Sequence, residues 1–151
     1  MKKLFFVFAI LLLQVGVFAQ GNVPAAVTKA FKSKFPSIEA VEWTVGDAYI
    51  AVFWVGDFYK EALFTKAGEW LETSTVMESD LLSSGFMEGL TKELGEIYIT
   101  YVMKMESKDS GATYIIDLST DADNLQVTTD MSGKVLKKVV LEGAMDNDDG
   151  F

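Results

Sequence analysis

Residues 24–76 and 80–140 read as one unit written twice: an amphipathic helix, then four short strands, the last entered through a Gly-x-x-Leu turn. This repeat limits the folds open to the chain. A helix with one apolar stripe needs a surface to bury it on, and a four-stranded meander has a face to offer. Two such units most simply build an α+β domain in which one antiparallel eight-stranded sheet carries both helices on one face. The unit ends match best: Gly68-Glu69-Trp70-Leu71 corresponds to Gly133-Lys134-Val135-Leu136, 65 positions on.

In the first unit Val23-Pro24 suits the opening turn of a helix. Val27, Ala30, Phe31 and Phe35 recur at helical spacing between Lys29, Lys32 and Lys34, and Pro36 ends the run. Strands rich in Val, Ile, Phe, Trp and Tyr are expected at 39–45, 48–55, 58–64 and 69–76, with Gly46-Asp47 and Gly56-Asp57 as tight turns. In the second unit the pattern predicts a helix over 80–94, capped by Asp80 and lined by Leu82, Phe86, Leu90 and Leu94. Gly85 and Gly89 should weaken it. Strands should follow at 96–106, 112–118, 123–130 and 134–141.

The first nineteen residues read differently. A basic start, Met1-Lys2-Lys3, precedes the unbroken apolar run Leu4 to Leu13, and Val17-Phe18-Ala19 places small residues at −3 and −1 of a signal-peptidase site. We expect residues 1–19 to be an export signal cut between Ala19 and Gln20, leaving a periplasmic or secreted protein with no membrane attachment. A spanning anchor fits less well, because Gln14 interrupts a stretch shorter than the roughly 20 residues required. The expected domain is 20–142, with repeats at 23–78 and 79–142. Residues 143–151 read as an acidic disordered tail.

Composition excludes much chemistry. The 151 residues contain no His, no Cys and no Arg, so all 13 basic residues are Lys. No disulfide, thiol nucleophile or thiolate metal site is available. The usual neutral-pH base and the usual zinc ligand are missing, which rules out Ser-His-Asp hydrolysis and histidine-ligated metal catalysis. The expectation is a protein that is not an enzyme and needs no cofactor. Losing Lys2 and Lys3 with the signal leaves 11 Lys against 22 acids, a net charge of −11. Such a surface repels nucleic acid.

Phe31-x-x-x-Phe35-Pro36, Val41-Glu42-Trp43, Tyr49-Ile50-Ala51-Val52-Phe53, Glu61-Ala62-Leu63-Phe64 and Gly68-Glu69-Trp70-Leu71 together resemble the secreted bacterial PepSY-like, beta-lactamase-inhibitor-like proteins. The second unit keeps the Gly-x-x-Leu turn but lacks the Phe-Pro ending and the Val-Glu-Trp signature. The resemblance implies a tandem helix-plus-four-strand fold like that of beta-lactamase inhibitor protein, whose concave sheet face grips an enzyme. It implies no catalytic residues, and a shared fold does not transmit a target.

Strand alternation sorts the faces independently, since residues i and i+2 share a side. Val41, Trp43, Tyr49, Ala51, Phe53, Ala62, Phe64 and Leu71 should lie under the first helix. The open face should then carry Ile50, Val52, Trp54, Tyr59, Glu61, Trp70 and Glu72, with Glu42 and Leu63. For the second unit, with Leu136 inward like Leu71, the same rule predicts a polar open face including Tyr98, Thr100, Lys104, Thr113, Asp117, Gln126, Thr128 and Lys137. One bulge would exchange the two sets at its position. An uncovered patch with Trp54, Tyr59 and Trp70 reads as a binding surface for a protein or peptide. The alternative is a small-ligand or envelope-stress protein with a pocket there, or simple cross-strand packing. Asp117, Asp121 and Asp123, and Asp146, Asp148 and Asp149, complete no calcium-loop motif, so no metal site is expected.

Overall fold

The computed structural model describes residues 22–141. The leader with its cleavage site and the acidic tail lie outside them. The elements are α1 (Ala25–Lys34), β1 (Glu42–Val45), β2 (Tyr49–Val55), β3 (Phe58–Phe64), β4 (Trp70–Met77), a 3-10 turn (Ser79–Leu81), α2 (Ser84–Leu94), β5 (Tyr98–Ser107), β6 (Gly111–Ser119), β7 (Asn124–Thr129) and β8 (Val135–Val140). All eight strands form one sheet in chain order, each antiparallel to the next.

Local chemistry explains the helix ends. Val27 and Thr28 N–H groups donate to the Pro24 carbonyl, so Pro24 stands just outside α1, at its cap. Phe35 closes the helix, because Pro36 disfavours helical geometry in the residue before it. Helix α2 starts later than its pattern suggests. Its cap is Ser83, whose Oγ accepts from the Phe86 N–H at 3.2 Å, and Asp80 lies in the preceding 3-10 turn. Leu82, just before the cap, is buried, and that anchoring turns the chain into α2 at Ser83.

Two apolar cores lie side by side. Under α1, Val27 and Phe31 pack on Tyr49, Ala51, Phe53, Ala62 and Phe64. The Phe31 ring centroid is 5.1 Å from Phe53 and 5.5 Å from Trp43 in edge contacts. Under α2, Leu82, Phe86 and Leu90 pack on Val102, Ile116, Leu118, Leu125 and Val127. Both helices share one face of the sheet. Ala62 pairs with Thr73, Thr73 shares a side with Met77, and Met77 pairs with Val102. Between the cores this covered face is polar, with Lys60 Nζ donating to Thr75 Oγ1 at 2.7 Å and Lys104 Nζ 3.0 Å from Glu106 Oε1.

The Gly-x-x-Leu turns join helix and sheet in both units. Gly68 and Gly133 each have φ +85° and sit against helix backbone, Gly68 at Ala26 and Gly133 at Phe86. In α2, Gly89 is a packing requirement rather than a weakness, since a Cβ there would strike the Ser132 carbonyl beside that turn.

A bulge follows each turn. Phe64 pairs with Trp70 while Leu63 pairs with Glu72, and Thr129 pairs with Val135 while Thr128 pairs with Lys137, so Leu71 and Leu136 are the extra residues. The expected inward pair Leu71 and Leu136 is therefore corrected. Trp70 and Val135 pack against the cores instead, and Leu136 is 56% exposed. A third shift, between Ile99 and Tyr101, inverts the rest of β5. It moves Lys104 from the expected open face to the covered one, where Lys104 pairs with Thr75 and Tyr114.

Candidate functional site

The uncovered face is built from registered rows. One runs Glu42, Val52, Glu61, Ser74, Met105, Thr113, and the next runs through Ile50, Leu63, Glu72 and Ser107. Trp54 pairs with Tyr59, while Val76, Met103, Ile115 and Thr128 continue on the neighbouring strands. Tyr101 pairs with Asp117, which pairs with Gln126. The register thus brings Ile50, Val52, Trp54, Tyr59, Glu61 and Glu72 to one face. Trp70 is not among them. Its ring packs on the α1 core, its Nε1 donates to Thr73 Oγ1 at 2.9 Å, and Lys34 Nζ of α1 sits 3.5 Å from its centroid. The bulge at Leu71 causes the exchange.

Strand β5 is inside out by the usual rule. Its more apolar row, Tyr101, Met103 and Met105, faces the uncovered side, while Lys104 and Glu106 face the helices. Hydrophobic burial alone would choose the opposite register. The polar pair is tolerated because it falls in the gap between the two cores. The apolar row, with Ile115, extends the aromatic patch across the middle of the sheet. Sequence alternation missed these residues, since it put Tyr98, Thr100 and Lys104 on the open face, which leaves Tyr101, Met103 and Met105 on the other side, and the shift beside Thr100 has no local signature.

Exposure on this face is uneven. Trp54 is 61% exposed and Tyr98, on the same side by its pairing with Ser119, is 72% exposed. The Trp54 and Tyr59 rings meet edge to face at 5.5 Å. Tyr59 Oη donates to Glu61 Oε1 at 2.7 Å. Burial, with that bond and the Glu61 charge behind it, pushes the Tyr59 phenol up to about 12. Burial also raises the Tyr101 phenol, helped by Asp117 and Glu61. The Glu72 carboxyl is raised by burial alone. Among the described strand residues of this face, Glu42, Glu61, Glu72 and Asp117 are acidic and Lys137, on the edge strand, is the one cation.

No described residues form a group of three or more acidic side chains able to hold a metal ion. Asp117 Oδ1 instead accepts from Gln126 Nε2 at 2.9 Å, and the second acidic cluster lies outside the described residues. A shallow depression of about 660 Å³ lies beside α1, lined by Thr28, Lys29, Lys32 and Ser33, away from the aromatic face.

A family model described as "Putative beta-lactamase-inhibitor-like, PepSY-like" matches residues 47–137. No curated protein matches the chain. Among solved structures, a DUF2874 family protein from Bacteroides ovatus is 23% identical with a TM-score of 0.70, covering 80% of this chain and 89% of that one. A BLIP-like protein from Bacteroides fragilis is 18% identical with a TM-score of 0.69, covering 85% and 91%. A structure from Bacteroides eggerthii, described under "putative periplasmic proteins", is 19% identical with a TM-score of 0.67, covering 80% and 90%. At these identities the likeness is one of fold.

Proposed function

The chain belongs to the PepSY-like, beta-lactamase-inhibitor-like family, and from that premise we propose that it is an exported, non-enzymatic binding module whose uncovered sheet face docks a protein or peptide. The observation that carries this reading is the inverted strand β5. A sheet that places Tyr101, Met103 and Met105 on the side that neither described helix covers, beside Trp54 and Tyr59, keeps apolar area available for a partner. Aromatic and Met side chains suit that use, because they give large contact area and adapt to the surface they meet. The family description speaks of inhibition, not catalysis, which agrees with a chain lacking His and Cys. Export rests on the leader pattern and is supported by the description of the Bacteroides eggerthii structure as periplasmic.

The test uses the chain from Gln20 onward as bait against periplasmic and secreted proteins, with a Trp54→Ala/Tyr59→Ala variant alongside. Hydrogen exchange then maps the bound surface. A protein held by the wild type, lost by the variant and protecting β2, β3 and β5 amides is the expected result. Retention by both forms, or protection confined to the helices, would move binding away from the sheet face and defeat the proposal.

A further inference from the structure

We infer that the partner presents a lysine or arginine side chain, set among apolar ones, to the acidic and aromatic centre of the uncovered face. This deepens the binding reading above and rests on it. Four acids stand on this face against one edge lysine, and none of the four makes an ion pair among the described residues. Four lysines off this face are engaged elsewhere: Lys34 over Trp70, Lys60 on Thr75, Lys104 on Glu106 and Lys108 on Glu69. On this face acids outnumber cations where the apolar surface is also left uncovered.

The arrangement at the centre suits a cation rather than water alone. Ser74, 6% exposed on the floor between Glu61 and Met105, makes no side-chain hydrogen bond among the described residues. Glu61 uses Oε1 to hold the Tyr59 hydroxyl, which leaves Oε2 for an incoming donor. Glu72 is half-buried between Leu63 and Ser107 and makes no ion pair among the described residues, so its charge lacks the partner that buried carboxylates usually have. Tyr59, in edge contact with Trp54, lies beside Glu61, and a cation held by both a carboxylate and a π face gains from each. The covered face already carries a lysine–tryptophan contact of this type, at Lys34 and Trp70.

The experiment selects from a random-peptide display library on the chain from Gln20 onward, with counter-selection on Trp54→Ala. Selected peptides are then measured by fluorescence polarisation at about 50 and about 300 mM salt, a range that shortens electrostatic reach from roughly 14 to 6 Å. We expect Trp54-dependent peptides rich in Lys or Arg, weakened about tenfold or more by Glu61→Gln/Glu72→Gln and also by salt. A Glu39→Gln/Glu96→Gln variant, carrying the same charge change at exposed positions outside the strands, should bind as wild type. Trp54-dependent peptides without basic residues, or ones indifferent to the Glu61 and Glu72 changes, overturn the inference and leave the binding face intact. Equal weakening by the Glu39 and Glu96 changes also overturns it, because bulk charge would then be the cause. Absence of any Trp54-dependent peptide removes the binding face itself, and the inference with it.

Discussion

Replacing Gly68 with Ala should cost far more than its surface position suggests, and the two parts of that cost can be separated. The first part is conformational. At φ +85° an L side chain meets its own carbonyl, which costs about 1–2 kcal/mol. Reduced freedom of the unfolded chain returns about 0.4–1 kcal/mol. The second part is contact. A Cβ at Gly68 would lie 2.5 Å from the Ala26 carbonyl oxygen and 2.8 Å from its carbon, well inside the roughly 3.5 Å of an ordinary contact. Helix α1 must then retreat, loosening Val27 and Phe31 from the core, at about 1–3 kcal/mol. Gly111, with φ +74° and nothing near its Cβ position, carries the conformational part alone. Urea unfolding followed by tryptophan fluorescence and circular dichroism should therefore show Gly111→Ala losing about 1 kcal/mol or less and Gly68→Ala losing about 2–4 kcal/mol. Gly133→Ala should behave like Gly68→Ala through Phe86. Losses for Gly68→Ala and Gly111→Ala that agree within about 0.5 kcal/mol would refute the argument that the turn is what positions the helix.

Three other outcomes are expected. Trp70→Ala should destabilise by about 2–4 kcal/mol, since it removes core packing, the Lys34 contact and the donor to buried Thr73, whereas Trp54→Ala should cost about 1 kcal/mol or less. Equal losses would contradict the face assignment. Thr129, fully buried, has a hydroxyl with no partner among the described residues, so Thr129→Val should stabilise by about 1 kcal/mol in the same urea unfolding, and a loss there would reveal a bond to that hydroxyl. Tyr59 should ionise near 12 in an NMR titration of its ring carbon, and Glu61→Gln should lower that value while burial keeps it above 10. Because the folded value lies above the ordinary one, this phenol's contribution to stability is complete below pH 10 and is lost as pH rises towards 12. An unchanged midpoint in Glu61→Gln would remove the carboxylate as a cause.

Much of the architecture was legible because its signals are local. Phe31 and Phe35 at helical spacing, the Gly-Asp turns and the paired Gly-x-x-Leu segments placed every helix and strand within a few residues, and the α+β sheet with both helices on one side followed. The cap of α2 was less legible. Asp80 and Ser83 are both competent caps, and the choice depends on where Leu82 meets the core. Of the candidate site, Ile50, Val52, Trp54, Tyr59, Glu61 and Glu72 could be placed by counting along regular strands, but Trp70 could not.

By itself, then, the sequence determined which segments are helix or strand, that they repeat, and which chemistry the chain lacks, since periodicity, turn residues and composition are properties of neighbours along the chain. Tertiary structure decided which side of the sheet each residue occupies beyond a bulge. The shifts at Leu71, Leu136 and Thr100 arise where a strand must meet both its partner and the helix above it, and each reverses a two-residue alternation that carries no record of the reversal. That is why Trp70 went under α1 while Tyr101, Met103 and Met105 came to the open face.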